Sequence, residues 1–424
     1  MRIVRKTHWL LLILLLPAAG CHRYLVATPN LLRHPDGRAI YADCPENCAK
    51  SEAEILYATD RTVELVGVAG KRVVYGHGRS TSLAFGVASV SLAPHPRWEE
   101  LLQNSTREKR SRDYELKLTG TQEMGRLKPL LEQAQLSEHG LEITRTMLQE
   151  RDDQRQHLHD LLRLRLAQTS HKDVFIFIHG VNNGFDDAVF RAAEVWHFMG
   201  RVGVPIAYSW PAGLGGIRGY AYDRESGEFT VTHLRRFLKT VAECPGVERI
   251  HLIGHSRGCD VTITALRELN LAYRAQGKST QHELKLENLV LAAPDVDEEV
   301  FMQRFVGENL LQAARRTTIY ASQHDKAIEA ADLIFASRRR LGMLTGKDIN
   351  PRIRQGLAKL PNVQFIECKV SGIWMSHSYA FTHPAALSDL ILVLRDRRNP
   401  GAAHGRPLLQ PAEGTWELTD DYLK

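Results

Sequence analysis

The chain has 424 residues, 43% apolar and 25% charged, enough to bury a substantial core and too ordinary a composition for a disordered or fibrous protein. Its formal charge of +6 falls to +3 without the first twenty residues, where Arg2, Arg5 and Lys6 have no acidic counterpart. No basic stripe with interleaved aromatics occurs, so nucleic acid is not expected as a partner, and the SRRR run at 337–340 reads as a solvated helix face.

The amino-terminal segment MRIVRKTHWLLLILLLPAAGC has a basic start, an apolar run from Trp9 to Leu16 and small residues before Cys21. That run is too short to cross a bilayer as a helix and reads as an export signal. AAGC resembles the cleavage site of a bacterial lipoprotein signal. The resemblance implies that residues 1–20 are a removed signal peptide and that Cys21 becomes a lipid-bearing terminus inserted in a bilayer. Plain secretion, with Cys21 incidental, is the alternative. Lipidation implies a place in the cell envelope. His22, where an aspartate would favour inner-membrane retention, implies the periplasmic face of the outer membrane if the host is Gram-negative. Export permits disulfides. Cys44 and Cys48 in DCPENC form the natural local pair, while Cys259 and Cys368 sit in apolar surroundings and are expected as buried thiols. No second ligand pair has a metal-binding spacing, so no metal is expected.

Residues 21–52 read as a tether or irregular segment. Residues 53–170 read as amino-terminal strands followed by a helical linker. EILYATDR, VELVGVAGKRVVYGHG and LAFGVASVSLA are the strands, and 95–150 is polar and mixed. HLHDLLRLRLAQ places Leu158, Leu161, Leu162 and Leu166 on one helical face, with His157 and His159 expected at the surface. From 171 to 397 short apolar runs alternate with amphipathic helices: VFIFIHG, PIAYSW, RIHLIGHS, NLVLAAPDV, TTIYASQHD and NVQFIECKV. This pattern predicts an α/β fold, a mostly parallel, doubly wound sheet with helices on both faces, and a site at the carboxyl ends of the strands. PAGLGGIRGYAYDRES is either part of a lid or a plain surface loop. The Pro/Gly-rich tail, 398–424, is expected to be poorly ordered.

The chemistry centres on LIGHSRG. G-x-S-x-G alone is a weak signal, but here an apolar strand runs into Ser256 and an amphipathic helix begins at once. Gly254 and Gly258 permit the close backbone approach of a sharp turn, which would expose the hydroxyl and aim the helix amino terminus, with the Arg257 N–H, at a substrate oxygen. Such a serine needs a base, and the base an orienting carboxylate, in the chain order Ser, acid, His. Asp325 stands just past a strand end; Asp295 and Asp297, after the preceding strand, are the alternative acids. His377 lies after the last strand; His383, in THP, is the rival base. A second oxyanion donor should follow the first core strand, where Gly180 allows a turn and Val181 or Asn182 offers its N–H. His179 reads as a packed structural residue, and Asn182 and Asn183 as possible helix caps.

IFIHGVNNGF, AYSWPA, LIGHSRG, LAAPDVD and YASQHDKA follow one another as in a family of largely uncharacterised bacterial alpha/beta hydrolases, which this chain resembles over most of 54–395. The resemblance implies an alpha/beta-hydrolase fold and a serine mechanism with Ser256, Asp325 and His377 as triad, and needs no cofactor. Arg257, where the family often has an apolar residue, and Val181, where an aromatic is common, depart from its pattern. They bear on pocket chemistry, since their own part in the mechanism is through backbone amides. A carboxylic ester is the expected substrate, because it demands least beyond triad and oxyanion hole. A peptidase or acyltransferase would use the same residues, and a non-catalytic envelope scaffold is the alternative from another class.

Overall fold

Among the described residues, eleven strands join into one sheet in the order β12-β13-β11-β10-β9-β8-β6-β7-β1-β2-β3. The strands are β1 (Ala53–Val66), β2 (Val73–Ala93), β3 (Glu115–Leu127), β6 (Asp173–Ile178), β7 (Val204–Ser209), β8 (Arg249–His255), β9 (Leu286–Ala292), β10 (Arg316–Ala321), β11 (Val363–Lys369), β12 (Leu409–Ala412) and β13 (Thr415–Thr419). A separate hairpin joins β4 (Gln135–Ser137) to β5 (Gly140–Glu142). This computed structural model describes residues 23–67, 72–129, 135–138, 140–329, 339–348, 359–360, 362–372 and 377–424; residues 1–20, read above as a signal peptide, and Cys21 lie outside them.

From β1 across to β11 and β13 the pairing is parallel; β2, β3 and β12 are antiparallel additions at the two ends. The parallel strands are apolar on both faces because both faces are covered. Along β6, Phe175 and Phe177 enter one core and Val174, Ile176 and Ile178 the other, the period of two that a pleated strand imposes. Helix α1 (Trp98–Ser105) contributes Leu101 and Leu102 to the first core. Helix α3 (Phe185–Phe198) adds Val189, Ala192 and Trp196 there, and α6 (Pro384–Leu394) adds Leu387, Leu390 and Ile391. Helices α2 (Arg145–Ala167), α4 (Gly216–Glu243) and α5 (Arg257–Ala275) fill the second, through Leu158, Leu162, Phe237, Leu238, Ile263 and Leu266. The six apolar runs of 171–397 are β6 to β11, and the architecture is the doubly wound α/β sheet expected.

Several expectations need correction. In the segment read as a tether or irregular, residues 23–52 are irregular, with short helical turns, and packed on the fold rather than a loose tether. Leu25, Leu32, Ile40 and Tyr41 are buried, Leu31 N–H donates to Ser388 Oγ at 3.0 Å, and Arg201 holds the carbonyls of Cys48, Lys50 and Glu52 at 2.7, 2.7 and 3.0 Å. Four apolar residues spread over seventeen positions make no period, yet they cover the outer side of the first core.

The tail is ordered too. Gly401, Gly405 and Gly414, with φ of 107°, 67° and 76°, supply turns that let β12 and β13 return to the sheet, and Pro411 sits on the edge strand where no ladder donor is needed. Arg406, fully buried, grips both oxygens of Asp389 at 2.7 Å, and the hydroxyls of Tyr320 and Tyr422 donate to the same carboxylate at 2.7 and 2.6 Å.

His159 is buried rather than at the surface, its Nε2 2.8 Å from the Thr240 carbonyl, because α4 packs over that side of α2. Arg340 is buried against Asp295, so the basic run does not face solvent throughout. From Gly216 onward PAGLGGIRGYAYDRES is not a surface loop but the first turns of α4. Of the described cysteines, Cys44 and Cys48 are free and half-buried, and Cys244, Cys259 and Cys368 are free and buried.

Candidate active site

Strand β8 ends at His255 and α5 starts at Arg257, leaving Ser256 as the single residue of the turn, at φ 55° and ψ −124°. Three backbone bonds hold it there: its N–H donates to the Ala292 carbonyl at 2.9 Å, and its carbonyl accepts from Cys259 at 3.0 Å and Asp295 at 3.2 Å. The glycines are steric requirements. A Cβ at Gly258 would stand 2.3 Å from the His179 carbonyl oxygen, and one at Gly254 3.0 Å from Cys259 Cα. Gly180, across the turn, leaves so little room that a Cβ there would lie 2.6 Å from Ser256 Cβ.

Asp325 lies just past β10 at the start of a helical turn, 326–329. Its Oδ1 accepts the N–H groups of Ala327 and Ile328 at 3.1 and 3.2 Å, which fixes the carboxylate and turns Oδ2 to His377 Nδ1 at 2.7 Å. A carboxylate only accepts, so Nδ1 carries the proton and Nε2 keeps its lone pair. The His377 ring packs on His255, with centroids 4.8 Å apart, and the His255 Nε2–H donates to the His377 carbonyl at 3.1 Å. Two residues on, Tyr379 donates to the Tyr320 carbonyl at 3.2 Å and ties this loop to the end of β10. Burial opposes a charge on His377, but the Asp325 carboxylate outweighs it, with help from Asp295, and its pKa lies above the ordinary 6.5. Burial and neighbouring His377 push His255 well below 6.5, so that ring is a neutral spacer.

The structure thus pairs His377 with Asp325, next to the Ser256 turn through His255, and pairs neither with a rival. Asp297 caps the short turn Glu298–Val300, its Oδ1 3.1 Å from the Val300 N–H. His383 caps α6 and pairs with Asp420 at 3.1 Å. Asp295 is buried beneath the turn, one oxygen 2.6 Å from the Tyr220 hydroxyl and the other 3.2 Å from Arg340. Arg257 directs its side chain to the Asp295 carbonyl and to Asp260, both at 3.3 Å. Its backbone N–H, first in α5, has no acceptor within the helix.

On the facing loop the Asn182 N–H is already bound, 2.8 Å from Asp223 Oδ2, so of the two amides considered Val181 is the one left for a substrate oxygen. Asp223 also accepts from Gly213 at 3.1 Å, and burial pushes its carboxyl above the usual value. Neither Asn182 nor Asn183 caps α3; that position is Gly184, whose N–H is bound by Asp187 at 2.8 Å.

Below the loop lies Arg61, fully buried. It donates to the carbonyls of Ala212 and Asn183, both at 2.8 Å, to Gly76 O at 3.0 Å and to Ser209 Oγ at 2.9 Å. His179 stacks on Trp210, gives its Nδ1–H to the Gly180 carbonyl at 2.7 Å and accepts the Trp210 N–H at 3.1 Å; burial and Arg61 lower its pKa to about 3. The structural reading of His179 fits these contacts. Arg61, Tyr220 and Asp223 were not singled out from the sequence. For Arg61 a signal existed, two adjacent charged residues, Asp60 and Arg61, soon after the apolar run Ile55–Ala58 of β1.

Among known proteins, the sequence model of a family described as "Alpha/beta hydrolase of unknown function (DUF900)" matches residues 154–397. No curated protein matches the chain. Similar solved structures include one described as a predicted CIB-like hydrolase from Thermoplasma acidophilum, 13% identical over 54% of this chain and 88% of its own, with a TM-score of 0.29. An esterase from Pyrobaculum calidifontis is 9% identical over 53% and 76%, with a TM-score of 0.27. A lipase-esterase related protein from Clostridium acetobutylicum is 10% identical over 54% and 90%, with a TM-score of 0.23.

Proposed function

The chain belongs to a family of alpha/beta hydrolases of unknown function, and from that premise we propose that it is a serine hydrolase cleaving a carboxylic ester at the cell envelope. The observation that carries this reading is a serine held at φ 55° between a strand and a helix, with a histidine beside it whose Nδ1 is 2.7 Å from a buried carboxylate. In the proposed reaction His377 Nε2 takes the Ser256 proton as Oγ attacks the acyl carbonyl, and Asp325 keeps the tautomer and stabilises the imidazolium. The N–H groups of Val181 and Arg257 receive the charge that develops on the carbonyl oxygen. His377 returns the proton to the departing alcohol, and water, activated by the same ring, releases the acid and regenerates Ser256. Lipidation of Cys21 would hold the enzyme to a bilayer, at the periplasmic face of the outer membrane in a Gram-negative host.

Labelling by a fluorophosphonate probe tests the chemistry without a known substrate. The wild type is expected to label, and Ser256→Ala and His377→Ala to lose the label while keeping the fold. A well-folded wild type that does not react would overturn the reading in favour of a binding scaffold.

A further inference from the structure

On the premise that Cys21 is lipidated, as read above, we propose that the outer edge of β3 is a membrane-facing surface, resting on the head-group layer of a phospholipid bilayer. Cys21 stands two positions before Arg23, so the chain between them spans no more than about 7 Å. Arg23 is already part of the fold. Its carbonyl accepts the Leu116 N–H at 2.7 Å, and its guanidinium reaches Asp187 at 3.1 Å and buried Glu194 at 3.7 Å. An acyl chain on Cys21 would therefore bring this part of the protein within a short covalent reach of the membrane.

That part is the outer side of β3, where residues 23–25 and Arg72 already pair with the strand, and it carries side chains a bilayer surface accepts. At one end Tyr24, 52% exposed, bridges to Glu115. Six residues along the strand, about 20 Å at the usual rise, Arg72 bridges to Thr121 and brings the far end of the β1–β2 ribbon to the same edge. The ribbon presents Leu65 and Val66, 59% and 61% exposed, next to the Gly67 N–H bond to the Arg72 carbonyl at 2.7 Å. A tyrosine at one end and bare aliphatic side chains at the other suit the boundary between head groups and acyl chains, where an amphipathic ring keeps its hydroxyl wet. Exposed apolar residues elsewhere, such as Leu271 on α5 and Leu409 on β12 at the opposite end of the sheet, have no anchor beside them.

The test uses full-length protein extracted with its anchor and reconstituted in phosphatidylethanolamine/phosphatidylglycerol vesicles, with Cys44→Ser and Cys48→Ser removing the half-buried thiols. An environment-sensitive fluorophore is placed in turn at Tyr24→Cys, Val66→Cys, Leu271→Cys and Leu409→Cys, and the mass of the amino-terminal peptide is read alongside. Acylated Cys21, with several-fold protection from aqueous iodide at positions 24 and 66 but not at 271 and 409, is the expected result. Acylated Cys21 with all four positions equally quenched overturns the surface and leaves the anchor standing. Unmodified Cys21 overturns both. Because the readout is positional, it is independent of whether Ser256 proves reactive.

Discussion

A non-glycine residue at φ 55° carries of order 1–3 kcal/mol of backbone strain, and Ser256 keeps that conformation because its amide and carbonyl are both committed to neighbouring strands and turns. The tightest of its surroundings is Gly180. Gly180→Ala is expected to force the Val181 amide away from the serine, lowering kcat at least 100-fold while costing only about 1–3 kcal/mol of stability, as read by ester turnover and thermal unfolding of the same preparation. Asp325→Asn leaves the shape of the site but removes the charge facing His377. We expect a loss in kcat on the order of 10³–10⁴, the scale known for triads elsewhere. The pH profile gives an independent check. Since His377 titrates above 6.5, its neutral, proton-accepting form appears only as pH rises past that raised value, and kcat/KM should climb through the same range. In Asp325→Asn the limb should move to lower pH. The same ion pair stabilises the fold fully below about pH 6.5, and that contribution fades as pH rises through the raised value. The Ser256 turn was legible because it is local: strand, glycine, serine, glycine and helix occur within a dozen residues. Choosing among acids was not a local matter, since Asp295 and Asp325 both end strands. They differ in partners contributed from elsewhere, Tyr220 and Arg340 for the first and His377 for the second.

Between secondary-structure elements, Arg61 does the joining. From the middle of β1 it spans to the loop after β6 through Asn183 and to the loop after β7 through Ala212, so the amide-bearing loop beside Ser256 is held from beneath. Arg61→Leu would take its donors from the Asn183 and Gly76 carbonyls and leave Ala212 with His77 alone, and a destabilisation of about 3 kcal/mol or more is expected from denaturant unfolding. Arg61→Lys, with one compact charge in place of a planar fork, should recover only part of it. Strands β6 to β11 could be read from the sequence because each carries a short, mostly apolar run between helical segments. β3 could not: Leu116 and Leu118 alternate with polar residues and glycines interrupt it, as suits a sheet end with one face in solvent. Nor could the first turns of α4, where Gly213, Gly215, Gly216 and Gly219 signal a loop while Tyr220, Asp223 and Ser226 find buried places.

The whole molecule is closed by its last residues. Arg406→Met would leave Asp389 charged and buried among Tyr320 and Tyr422, a loss expected at about 3–5 kcal/mol, measurable as a lowered unfolding midpoint with the β12–β13 hairpin released to proteolysis. The tail touches more than the sheet, because Asn30 donates to the Tyr422 carbonyl at 2.8 Å and His34 stands 3.1 Å from that of Leu423. Partners 392 positions apart are made at very different times. At about 5–20 residues per second, Asn30 leaves the ribosome roughly 20–80 s before Tyr422 exists. For all that interval the stretch beginning two residues after Cys21 lacks part of the structure it finally packs against. The ends of this fold therefore form a late clasp: the stretch around Asn30 and His34 stays open while the chain is being made, and shuts when residues 409–424 arrive.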